Sequence, residues 1–268
     1  MTLIQIIVLS LIQGLTEFLP VSSSAHLILG SRMFSWPDQG LVFDVATHLG
    51  TLFAVLVYFR KDLWNMVLPW ISADNRDAAS RKLGLTLVLA SIPAIVAGGL
   101  LHGWVENSLR DTRIIAFTTI GFGLLLWWAD ARFARNKSLQ DMNMKPGILI
   151  GLAQMLALVP GTSRSGITIT MGRMLGFSAD GAARFSFLLS IPAITGGIVF
   201  QMKPIFTGDV ERLPLTALFV GTLSAAIFGY IAVVWMIDFL KKRSLKIFSI
   251  YVWALGAIIL FMQFTGEF

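Results

Sequence analysis

Residues 83–105, 213–237 and 247–266 contain no Asp, Glu, Lys or Arg. Each run reaches the ~20 apolar residues that a helix needs to cross ~30 Å of hydrocarbon. Residues 114–129 and 185–202 are shorter candidates, and 43–59 joins them if Asp44 and His48 share one face. Overall composition agrees: 13% of residues are charged, about half of the roughly 25% of a soluble domain. Mean hydropathy is +0.76. The chain therefore reads as an integral membrane protein. Its N-terminus lacks the basic region of a signal peptide, because no Lys or Arg precedes Arg32. Cysteine is absent, which excludes disulfides and Cys-based metal sites.

A pI near 9.9 invites a nucleic-acid partner, but the distribution of charge argues against one. Loops 60–82, 130–145 and 238–246 carry thirteen basic residues between them, from Arg60 and Lys61 to Arg243 and Lys246. Loops 104–113 and 203–212 carry four: Arg110, Arg113, Lys203 and Arg212. This is the positive-inside bias, and it assigns the first three loops to the cytoplasm.

Two apolar stretches, about 3–34 and 146–176, are interrupted near their middles, at "LPVSSS" and "VPGTSRSG". Pro and Gly end helices, and Ser or Thr cap the next one. The segments after the breaks, about 24–34 and 165–176, reach about 17–18 Å at ~1.5 Å per residue, too short to span. Each stretch is expected to be a re-entrant hairpin. If 146–176 crossed once, the basic loop 238–246 would lie outside; a hairpin keeps all three basic loops inside.

The expected fold is an all-α polytopic membrane protein with six full transmembrane helices and two re-entrant helix hairpins. It forms one integral-membrane domain over 1–268. Each half, about 1–140 and 141–268, runs hairpin then three spans, which gives an inverted-topology repeat. "FLPVSSS" and "LVPGTSRS" align at an offset near 140, whereas "SIPAI" at 91–95 and 190–194 has a different offset and does not fit the halves.

Non-helical backbone at membrane depth survives only when buried in protein or facing a water-filled cavity. The two breaks should meet near the midplane and gather Glu17, Ser22, Ser23, Ser24 and His26 with Thr162, Ser163, Arg164, Ser165 and Thr168. Intramembrane Glu17 and Arg164 are each other's obvious partners. "PGTSRSG" combines backbone N–H groups opening a helix with one guanidinium, which suits phosphate. Gln13 and Glu17 are i and i+4 on one helix face. They could hold a hard divalent cation, or Glu17 could act as base for a hydroxyl. Together these groups suit phosphoryl transfer to water.

"QGLTEFLPVSSSAH" and "PGTSRSGIT" resemble the two signatures of the undecaprenyl-diphosphate phosphatase (bacitracin-resistance) family. The first pairs Glu/Gln-x-x-x-Glu with a downstream Ser and His; the second is Pro-Gly-x-Ser-Arg-Ser-x-x-Thr. The resemblance covers essentially the whole chain. It implies hydrolysis of undecaprenyl diphosphate to undecaprenyl phosphate and inorganic phosphate, recycling the carrier of peptidoglycan synthesis and giving bacitracin resistance. It implies a bacterial inner (cytoplasmic) membrane location, a divalent cation (Mg2+ or Ca2+) and a site open to the periplasmic side.

By the same resemblance, Gln13 and Glu17 match the acidic motif and the metal ligands, Ser23 the nucleophile, and His26 the family histidine. Ser163, Arg164, Ser165 and Thr168 match the phosphate-binding motif. Ser22 and Ser24 flank the nucleophile as binding groups or caps. Gln13 stands where many members have Glu, leaving one carboxylate fewer for metal. His48 stands where Gln is common, as an added ligand or a local variation. The partners are a polyprenyl diphosphate and the bilayer, with no nucleic acid; a homodimer stays open. The rival reading is a transporter or flippase for a polyprenyl phosphate, which needs the Arg and the helix ends but no nucleophile beside a base. Each polar residue also has a structural reading: Glu17 as counter-ion of Arg164, the serines as caps, His26 and His48 as satisfied helix residues.

Overall fold

The computed structural model describes residues 1–71, 78–109, 111–207 and 213–265. Arg76, Arg110 and Arg212 lie outside the described residues, as do the side chains of His102 and Lys203. The described residues form α-helices in the order α1 (Leu3–Phe18), α2 (Ser23–Met33), α3 (Leu41–Tyr58), α4 (Arg60–Ile71), α5 (Ala78–Ser108) and α6 (Thr112–Arg132). After these come α7 (Met144–Gln154), α8 (Arg164–Met174), α9 (Ala179–Thr207), α10 (Leu215–Leu240) and α11 (Lys246–Thr265). Six of them, α3, α5, α6, α9, α10 and α11, are long and apolar enough to cross a membrane.

The two interrupted stretches become helix–break–helix pairs. α1 stops at Phe18 and α2 starts at Ser23. α7 gives way to a 3-10 turn at Met155–Leu158, and α8 starts at Arg164. Loop 60–82 is not all loop. Its first half is α4, whose Met66 and Pro69 are buried while Trp64, Val67, Trp70 and Ile71 stay exposed. The mixture of basic and apolar residues hid that helix, because its apolar face is short and flanked by charge.

Register follows from close contacts. The Thr222 hydroxyl on α10 donates to Ala46 O on α3 at 3.0 Å. Twelve residues along α3, the Tyr58 ring lies 6.2 Å from that of Tyr230. The two helices therefore run parallel, and the basic segments that follow them lie at the same end. α1 also runs parallel to α10, and α7 to α5, each through a glycine. A methyl at Gly14 would stand 2.9 Å from Ala225 O, and one at Gly151 would overlap Ala90 O. No larger residue allows those backbones to approach so closely.

The third basic segment joins that end through Asp130. Its carboxylate accepts from Arg173 Nε at 3.0 Å and Leu245 N at 3.1 Å, and from the Ser244 hydroxyl. Arg173 is fully buried and also donates to Ala134 O at 3.3 Å and to Phe177 O. This knot ties α6, α8 and the start of α11. Nothing in the sequence announced it, since Asp130 sits among basic residues and Arg173 at a helix end. Arg135 also approaches Asp130, at 3.7 Å, but from an exposed position, so removing Arg173 takes away the one buried cation among the described residues that faces this carboxylate. Arg173→Ala is therefore expected to destabilise the fold by about 3–5 kcal/mol. Thermal unfolding of detergent-purified protein checks this, and an unaltered midpoint would count against it.

Candidate active site

The two breaks meet. Ser165 Oγ donates to Leu19 O at 2.8 Å, so a hydroxyl of the second break satisfies a carbonyl freed by the first. A carbonyl of the second break is satisfied by α6: Thr118 Oγ1 donates to Pro160 O at 2.6 Å. Irregular backbone is tolerated in a greasy interior only under such pairing. Each break also needs one left-handed residue. Gly161 has φ +87°, which glycine adopts without strain. Ser22 has φ +66°, uncommon for a residue with a Cβ and typical of a functional constraint.

A cavity of about 250 Å³ opens where the breaks join. Glu17 lies on its wall, at the end of α1. Arg164 Nη2 donates to Glu17 Oε1 at 2.7 Å, and both side chains are largely buried. Ser23 Oγ donates to Glu17 Oε2 at 3.2 Å, and Gln13 Nε2 donates to the same oxygen at 2.9 Å. One carboxylate thus holds a guanidinium on one oxygen and a hydroxyl on the other. Ser23 and Arg164 are the first residues of α2 and α8, so two helix N-termini point at the same space. Each contributes roughly half a positive charge. With Arg164 offsetting Glu17, the net local field is about one positive charge, which favours an anion. Ser163 caps α8 by accepting from Gly166 N at 3.1 Å.

Of the residues expected here, Glu17, Ser22, Ser23, Ser24, Thr162, Ser163 and Arg164 line the cavity. Gln13 lies behind it as the partner of Glu17. Ser165 and Thr168 do not line it. Both are fully buried, Ser165 holding Leu19 and Thr168 pairing with the Ser186 hydroxyl at 2.6 Å. They brace the turn before α8 from behind. His26 does not line the cavity either. Its Nδ1 lies 2.8 Å from Ser22 O, which can only accept, so Nδ1 carries the hydrogen. Its Nε2 lies 2.7 Å from the Tyr251 hydroxyl on α11, and the two rings stack. The turn of α2 that aims Ser23 inward aims His26, three residues on, at α11.

His48 is the residue whose placement the sequence left undecided. It lines the cavity with Nε2 3.8 Å from Glu17 Oε2, while Nδ1 donates to Asp44 O at 2.7 Å. The available signal was an ionisable side chain inside an apolar span. Thr16 and Gln201 also line the cavity and had no sequence signal.

A divalent cation would find few donors in this cavity. Among the described residues no group of three or more His, Asp or Glu gathers. Gln13 Oε1 is buried with no hydrogen-bond partner. Turning that amide would set Oε1 beside Glu17, giving two protein oxygens. A hard cation takes about six or more, so the donor set fits an ion only where a bound molecule and water supply the remaining oxygens.

The model of the bacitracin resistance protein BacA family matches residues 6–258. A protein of Alteromonas mediterranea named undecaprenyl-diphosphatase is 43% identical over 267 residues, covering 99% of this chain and 100% of its own. One of Stutzerimonas stutzeri, named undecaprenyl-diphosphatase 2, is 46% identical over 99% of this chain and 100% of its own. One of Hahella chejuensis, named undecaprenyl-diphosphatase, is 48% identical over 96% of this chain and 97% of its own. On a match that runs through both breaks and all six long helices, the chain belongs to the bacitracin resistance protein BacA family.

Proposed function

We propose that the protein hydrolyses undecaprenyl diphosphate to undecaprenyl phosphate and inorganic phosphate, recycling the carrier lipid for cell-wall synthesis and conferring bacitracin resistance. The observation that carries this reading is the Ser23–Glu17–Arg164 chain at two helix N-termini. A carrier or flippase needs the cation and the helix ends. It does not need a hydroxyl donating to a carboxylate at the same point. The names of the relatives agree with hydrolysis.

In the mechanism, the diphosphate enters with its terminal phosphoryl group toward Ser23. Arg164 and the free N–H groups of α2 and α8 bear its negative charge. Glu17 takes the Ser23 proton as Oγ attacks the terminal phosphorus. The bond from phosphorus to the bridging oxygen breaks, and that oxygen takes the proton from Glu17 as polyprenyl phosphate leaves. Glu17, again a carboxylate, deprotonates a water that attacks the phosphoserine, and passes that proton to Ser23 Oγ as inorganic phosphate is released. His48 lies beside Glu17 on the open side and helps orient it. A divalent cation, Mg2+ or Ca2+, would be held by Glu17 and Gln13 and would supply charge neutralisation on the diphosphate.

The same reading includes architecture. α1–α2 and α7–α8 are re-entrant hairpins within one domain spanning residues 1–268, and the halves are inverted repeats. Packing supports this: α1 lies on α10 as α7 lies on α5, α3 on α10 as α9 on α5, and α6 on α11. Gly14 and Gly151 occupy matching places at an offset of 137 and Pro20 and Pro160 at 140, and the 3-10 turn at Met155–Leu158 takes up the difference. The site opens to the periplasmic side of the inner membrane. In support, the cavity lining runs along α9 from Ala193 to Gln201, toward the end opposite the basic loops.

Phosphate release by the purified protein from polyprenyl diphosphates, with and without chelator, tests the function. A single turnover stopped with acid is expected to leave a phosphoryl group trapped on Ser23. Release of phosphate with no trapped intermediate would instead favour direct attack by water.

A further inference from the structure

The cavity has an apolar half that the chemistry above leaves unused. Ala193, Ile194, Gly197 and Ile198 form a stripe on α9, opposed by Ala157 from the 3-10 turn. Their spacing of i, i+1, i+4 and i+5 is that of one helix face. Exposed apolar side chains flank it: Phe200 on α9 and Leu156 on the turn. At about 250 Å³, the cavity is smaller than the about 300–1,000 Å³ that encloses a drug-sized ligand. It cannot enclose a long polyprenyl chain, so that chain must leave it across an apolar wall.

Two adjacent glycines in this wall differ. A methyl at Gly196 would meet Ile95 at 3.3 Å, whereas one at Gly197 would meet nothing within 4 Å. Gly196 serves the packing of α9 on α5; Gly197 keeps open the space in front of it.

We propose that the tail of the lipid diphosphate leaves the cavity over Gly197, between α9 and the 3-10 turn at Met155–Leu158. Gly197 sets the room for the first isoprene units, and the head stays on Arg164 and the helix ends. The proposal rests on the hydrolase reading, and wild-type turnover of a polyprenyl diphosphate tests that reading by itself.

The discriminating experiment compares a lipid with a tailless head. KM for short and long polyprenyl diphosphates is measured alongside the inhibition constant of inorganic diphosphate as a competitor. Gly197→Leu is expected to raise both KM values by about tenfold or more and to change the inhibition constant by less than about twofold, since apolar pocket contacts discriminate on this scale. Gly197→Ala is expected to shift KM the same way by less, and it adds too little bulk to threaten folding. Gly121→Leu is the control, because Gly121 is exposed on α6 and its added side chain also meets open space. Unchanged KM values in both Gly197 variants, or an equal loss of affinity for inorganic diphosphate, would overturn the tail path.

Discussion

Ser23→Ala is expected to lower kcat for phosphate release by about four to six orders of magnitude, the loss seen when a nucleophile is deleted from a site whose groups act as a unit. KM should change little, because Ser22, Ser24 and Arg164 still line the cavity. Glu17→Ala is expected to cost about as much, since it removes the acceptor of the Ser23 hydroxyl and the anchor of Arg164 together. The effects should not add in the double variant, because each residue works through the other. Steady-state release with a polyprenyl diphosphate measures all three. Normal turnover in both single variants would sink the hydrolase mechanism and return the transporter reading to first place.

Arg164→Ala is expected to slow release by about 10³–10⁵-fold, the range for an arginine that neutralises a phosphoryl transition state. Here kcat and KM should both suffer, because the guanidinium meets the diphosphate before and during transfer. Part of any loss could come from folding, since Glu17 would be left buried without its partner. Arg164→Lys separates the two. It retains the charge for Glu17 but not the planar fork that grips two phosphate oxygens. A folded Lys variant with activity between wild type and the Ala variant is the expected result. A Lys variant as active as wild type would show that only a point charge is needed.

Much of this site was legible along the chain. Pro20 and Pro160 each lack a backbone N–H and clash with a preceding carbonyl, so the breaks could be placed from local chemistry. Glu17 and Arg164 stood out because ionisable groups in apolar sequence are expensive. The 3-10 turn and α4 were not legible. The first depends on a 3-residue excess in one half, and the second on an apolar face too short to show periodicity.

By itself, the sequence determined the number of long apolar helices, the positions of the two breaks and the stock of polar groups near them. These follow from length, charge and helix-breaking chemistry, all local along the chain. Which of those groups share a cavity was settled by packing in three dimensions. It turned Ser165 and Thr168 inward to Leu19 and Ser186, and His26 outward to Tyr251. It brought His48 from another helix to within 3.8 Å of Glu17. The physical reason is rotational. Sequence spacing says which residues share a helix face, whereas the azimuth of that face is set by packing against partners far away in the chain. Here those partners are Leu19 on Ser165 and Ala225 on Gly14.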